Sequence, residues 1–168
     1  MKTLLSILLF LSFISGAHAD DKYEQAMKKN LEKMDDCKTP ADYLKIANGF
    51  ERIALAEENK WLPYYYTSFN YILASYIDST KAQKDAYLDN AVRFIQIADS
   101  LEPDNSEIYT LKGMLAQARM QIDPMSRWQK YGSEAQMSFE RAIEADSLNP
   151  RHEYLIGAGV YYTPKQFG

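Results

Sequence analysis

The chain has 168 residues, 25% of them charged, a formal net charge of −4 and one cysteine. A single cysteine excludes an internal disulfide, and an acidic balance with no basic cluster excludes the phosphate-neutralising surface that nucleic acids require. Two histidines, His18 in the leader described next and His152 far downstream, do not supply the usual metal-binding or acid–base constellations.

Lys2 precedes the apolar run Leu4 to Ile14, and Ala17-His18-Ala19 offers the small residues a signal peptidase reads. Residues 1–19 are therefore expected to be a cleaved signal peptide, with an exported, periplasmic or secreted, soluble chain starting at Asp20. The apolar run is too short to cross a bilayer as a helix, which needs roughly 20 residues, so no integral membrane segment is expected after cleavage. Cleavage leaves 18 basic and 23 acidic residues, a net charge of −5. Residues 20–168 are long enough for a single domain with its own core.

Tyr23, Ala26, Met27, Leu31 and Met34 recur at helical spacing and predict a first helix over about 21–37. Cys37 closes it as a small, half-buried residue. Thr39-Pro40 has the form of a cap followed by a first helical residue and predicts a second helix over about 40–58. Further helices are predicted at about 61–77, 80–101, 105–121, 124–146 and 150–162, with Ser79 and Asp123 as candidate caps. Asp104 and Glu107 have the spacing of a capping box, and Asn149-Pro150 repeats the start seen at Thr39-Pro40. Tyr131-Gly132 is a candidate kink in the last long helix. No stretch alternates with period two, so the fold class is all-α, with about seven helices.

The chain also repeats itself at an offset of 44 residues. Tyr43, Tyr87 and Tyr131 share one register, Ala47, Ala91 and Ala135 a second, and Ala54, Ala98 and Ala142 a third. Phe50 matches Phe94, Tyr65 matches Tyr109, and Gly113 matches Gly157. Alanines seven residues apart keep one helix face small, so each is expected to face a close neighbour. Gly113, inside a helix where glycine costs about 1 kcal/mol relative to alanine, is expected to lie against another backbone.

Ala91, Ala98, Pro103 and Gly113 in one unit, and Ala135, Phe139, Ala142 and Gly157 in the next, resemble the structural signature of the tetratricopeptide repeat. The resemblance covers about residues 40–162, and the 44-residue period is longer than that family's usual 34. It implies a right-handed superhelical stack of antiparallel helix pairs, an α-solenoid, whose first helices line a concave face. On that mapping the partner-facing positions are Tyr66 and Asn70, then Thr110, Met114 and Gln117, then Tyr154 and Tyr161.

No reactive groups converge in the sequence. Cys37 and His152 lie in distant repeats, His152-Glu153 lacks the second histidine of a zinc helix, and His152 is expected to be solvated at a helix start. The expectation is a non-catalytic chain without cofactor or metal, serving as an exported scaffold that binds a peptide or protein partner through the concave face. A self-assembling structural protein that pairs through an unfinished C-terminal edge is the alternative, and a small-molecule binder using an inter-helix pocket ranks third. At the C-terminus three readings stay open: a truncated chain, placed first, a tail folding back from Pro164, or an edge that pairs with another molecule, making homo-oligomers possible.

Overall fold

The Thr39 hydroxyl accepts from the Asp42 amide at 3.3 Å, the Asp42 carboxylate accepts from the Thr39 amide at 2.9 Å, and Pro40 opens the helix that follows. That reciprocal pair satisfies two donors a helix start would otherwise leave unpaired. In the computed structural model, which describes residues 21–162, this start belongs to the second of seven helices. Residues 21–32 form α1, which tightens into a 3-10 turn at Lys33–Asp36. The others are α2 (Pro40–Ala56), α3 (Trp61–Ile77), α4 (Lys81–Leu101), α5 (Ser106–Ile122), α6 (Pro124–Ala145) and α7 (Pro150–Tyr162). No strand occurs among the described residues. The expected leader and the tail with Pro164 and Phe167 lie outside them.

Several local expectations are corrected. The first helix leaves α geometry at residue 32, short of 37, because Cys37 and Thr39 must be extended ahead of Pro40. Asp104 is not the cap of α5: its backbone has φ 58, a left-handed turn that aspartate tolerates, and Asn105 caps by accepting from the Glu107 and Ile108 amides. Thr80, not Ser79, precedes α4, and Asp123 makes no side-chain cap bond ahead of Pro124. The α6 helix runs unbroken through Tyr131-Gly132.

Each helix from α2 to α7 packs on its sequence neighbours, and α5 also touches α3 and α7. The repeated alanines form the seams. Ala47, Ala54, Ala91, Ala98 and Ala142 have no exposed surface and Ala135 very little. Because these side chains are short, groups on the next helix reach the backbone behind them: Ser68 Oγ donates to the Ala91 carbonyl at 2.9 Å, and Tyr64 Oη to the Ala54 carbonyl at 3.2 Å. The α3 helix is covered by α2, α4 and α5. Its buried Thr67, Asn70 and Ser75 donate to carbonyls of their own helix, which lets the two hydroxyls enter the core at little cost, while the Asn70 Oδ1 stays buried without a hydrogen-bond partner.

Gly113 does have a close neighbour, but it is a ring and not a backbone. A Cβ there would lie 2.6 and 2.8 Å from Cζ and Cδ1 of Phe139 on α6. Gly157, in the same register, is exposed with no heavy atom within 4 Å of such a Cβ, so its place in the signature carries no packing contact. Pro103 sits exposed in the turn between α4 and α5.

On α4, Asp85 receives both Nη atoms of Arg127 at 2.7 Å and Nη1 of Arg119 at 3.2 Å, joining α4 to α5 and α6. The hydrogen bonds from Arg127 hold the Asp85 carboxyl below the usual carboxylate range. A carboxyl depressed in the folded state stabilises the protein above its unfolded pKa, and that stabilisation is lost as pH falls through the folded value. Asp85→Asn is therefore expected to lower stability by about 1 kcal/mol near neutral pH, the partly exposed site being screened by solvent. Melting curves should show the difference shrinking below about pH 4. A constant gap between the two proteins down to the acid transition would contradict the role given to this carboxylate.

Candidate ligand-binding face

The residues expected on a concave face separate into two groups. Tyr66 is half-buried and stacks on Phe50 with ring centroids 5.1 Å apart, edge-on to Tyr65 and Phe69. Asn70 has no exposed surface, and its Nδ2 donates to the Tyr66 carbonyl at 2.8 Å. Thr110 is buried and donates to the Ser106 carbonyl at 2.7 Å, while buried Met114 offers its carbonyl to Tyr76 Oη at 3.3 Å. Asn70, Thr110 and Met114 thus pack between helices and do not line an open groove. Gln117 is half-buried and bridges α5 to α7, its Nε2 donating to the Leu155 carbonyl at 3.3 Å.

Tyr154 and Tyr161, by contrast, are 74% and 81% exposed. Seven residues apart, they stand two turns from one another on one face of α7, about 10 Å along the axis. Between them on that face is half-buried Ala158, with Gly157 beside it. A short small-residue floor between two aromatic side chains is an open apolar cradle.

The opposite face of α7 docks on the body. Leu155 and Ile156 pack against Ala116, Ala135 and Phe139. His152, expected in solvent, is instead completely buried, and neither ring nitrogen has a hydrogen-bond partner. The exposed Glu153 carboxylate lies 3.7 Å from its Nε2. The reason is angular: His152 lies three and four residues before Leu155 and Ile156, so docking that face carries the imidazole inward.

Polar contacts anchor the start of α7. Glu107 on α5 accepts from Asn149 Nδ2 at 2.9 Å and from Tyr65 Oη at 3.4 Å, and pairs with Arg151 Nη1. Burial, then the Glu107 charge, pushes the Tyr65 phenol well above its ordinary range, so it stays a neutral donor. Burial likewise pushes Tyr76 up to about 12. The hydrogen bond to Glu107 raises the Arg151 guanidinium above its already high value. Arg151 was not singled out from the sequence, although it lies three residues before Tyr154 and so on the same face of a helix.

A cleft of about 310 Å³ opens beside this anchor, lined by residues 102–107, Ala145, Asp146 and Asn149. With Glu102, Asp104, Glu107 and Asp146 around it, the cleft suits polar groups and not an apolar ligand. Among the described residues no group of three or more His, Cys, Asp or Glu side chains is placed to hold a metal ion, and no helix is long and apolar enough to cross a membrane. Cys37 is half-buried, with its Sγ 3.5 Å from the Lys33 carbonyl.

No family model matches the sequence, and no curated protein does. The chain is similar to the solved structure of the HusA haemophore from Porphyromonas gingivalis, at 34% identity and a TM-score of 0.77. The match covers 87% of this chain and 71% of that one. The chain belongs to the HusA family. For this member the tetratricopeptide resemblance rests on the packing residues alone, and the fold it shares with HusA is all-helical.

Proposed function

We propose that this HusA-family chain is an exported, non-catalytic carrier of haem or a related porphyrin, bound on the exposed face of α7 where it adjoins α5. The observation that carries the reading is kinship with a haemophore over 87% of the chain. It moves the small-molecule reading from third place to first. The peptide-scaffold reading loses support because Asn70, Thr110 and Met114, which would have lined a long groove, are buried. Successive helices pack on one another, and on the tetratricopeptide-like reading α7 belongs to a right-handed stack of such pairs.

The chemistry of the face suits the cargo. A porphyrin is a flat aromatic macrocycle, and burying its apolar surface contributes about 25 cal/mol per Å². Tyr154 and Tyr161 offer broad rings that lose little rotamer freedom on contact, and Gly157 and Ala158 let a flat ligand approach the helix between them. His152 is walled into the docked side, so the contacts that Tyr154, Ala158 and Tyr161 offer to the ring of a porphyrin are aromatic and apolar.

Titration of the mature chain with haemin and with protoporphyrin IX, followed by Soret absorbance and tryptophan fluorescence, tests this. Both ligands are expected to bind, and Tyr154→Ala and Tyr161→Ala should each weaken binding about tenfold, a loss of about 1.4 kcal/mol. Absence of any Soret change with the wild-type protein would end the reading. Unchanged affinity in both variants would move the site off α7.

A further inference from the structure

Two of the helices that pack on α5 are nearly bare of cations. The α3 helix has no lysine or arginine, and α7 has Arg151 alone. Lys112 and Arg119 of α5 turn to α4, where Lys112 pairs with Asp99 at 2.7 Å and Arg119 with Asp89 at 2.5 Å. Arg151 stands apart from these. It is held through one nitrogen by Glu107, which Tyr65 and Asn149 hold in turn, while 60% of its side chain remains exposed. A guanidinium has two edges that can each meet a carboxylate, and here one edge is fixed while the rest of the group faces solvent.

On the helix, Arg151, Tyr154, Ala158 and Tyr161 fall on one stripe, with the arginine at its N-terminal end. Ala158 lies two turns, about 10 Å along the axis, from Arg151, so a broad flat ligand centred over it extends its edge toward the arginine. On an acidic protein, a charged cargo would otherwise meet net repulsion along this face.

We infer that Arg151, oriented by Glu107, is the specificity residue that selects a carboxylate-bearing porphyrin by pairing with the carboxylate at the ligand's edge. This rests on the porphyrin-carrier reading. It adds that the cargo is chosen by its acid groups as well as by its ring.

The test compares protoporphyrin IX with its dimethyl ester, which keeps the ring and removes the charges, on the wild-type mature chain and on Arg151→Gln and Arg151→Lys. The ratio of the two affinities is compared between proteins, which cancels the ligands' different solubilities. The wild type is expected to favour the free acid about tenfold, the size of one charge-assisted contact. Arg151→Gln should abolish the preference, the free acid losing about tenfold more affinity than the ester, and Arg151→Lys should keep part of it. Should circular dichroism show that Arg151→Gln loses helix, the wild-type preference and its fall in ~0.5 M salt decide the matter. Equal affinity for acid and ester in the wild type, or a preference that survives Arg151→Gln, overturns the inference and leaves the carrier reading standing. Failure of both porphyrins to bind the wild type overturns the carrier reading itself.

Discussion

Gly113→Leu is expected to lower the melting temperature by about 10 °C, a loss of about 3 kcal/mol in a chain of this size. The first added carbon already enters the ring of Phe139, with Cζ and Cδ1 at 2.6 and 2.8 Å, and the ring cannot swing away. Phe139 is 5% exposed and packed among Ala116, Ala135, Leu155 and Ile156. Against this, replacing a helical glycine regains about 1 kcal/mol of backbone propensity, which is smaller than the cost of overpacking. Gly157→Ala is the matched control: it shares the register but meets nothing within 4 Å, so it should be neutral or stabilising by up to about 1 kcal/mol. Thermal melts of the two variants side by side check the assignment. A Gly113→Leu protein melting with the wild type would mean that α5 and α6 do not cross with this ring between them.

Phe139→Ala is expected to cost more, about 4 kcal/mol or some 12 °C. The ring fills the junction of α5, α6 and α7, and its removal leaves a cavity lined by small residues that cannot collapse into it, namely Gly113, Ala116 and Ala135. The loss should also be uneven. Leu155 and Ile156 dock α7 on this cluster, so amide exchange should quicken in α7 far more than in α3, which is covered by α2, α4 and α5. Combining Phe139→Ala with Gly113→Ala should give a protein more stable than the summed single effects by at least about 1 kcal/mol, because each change relieves what the other suffers. Strict additivity would separate the two residues, and uniform exchange would place the weak point elsewhere than α7.

The carrier reading and these stability effects meet in α7. The helix is held on one side by Leu155, Ile156 and buried His152, and at its start by the Glu107 contacts, while its other side presents Arg151, Tyr154 and Tyr161. A substitution that loosens the docked side should therefore weaken porphyrin binding even where it touches no residue of the exposed stripe, since an immobile platform spares the ligand the cost of ordering it.

The sequence by itself determined what depends on neighbours a few residues away. Seven helices, the Thr39 cap ahead of Pro40, and the seams at Ala47, Ala54, Ala91, Ala98, Ala135 and Ala142 were legible because helical period and capping chemistry are local. The tertiary structure alone decided what depends on groups far apart in the chain. Gly113 and Gly157 occupy one register, yet one carries a phenyl ring against it and the other faces open space. His152 looked like a solvated helix start until the docking of Leu155 and Ile156 turned it inward. Thr110 shares the register of Tyr154, as Asn70 and Met114 share that of Ala158, but neighbouring helices cover the first three and leave the tyrosine exposed. The physical reason is the same in each case: periodicity fixes the direction a side chain takes from its own helix, and only the packing of the other helices fixes what it meets there.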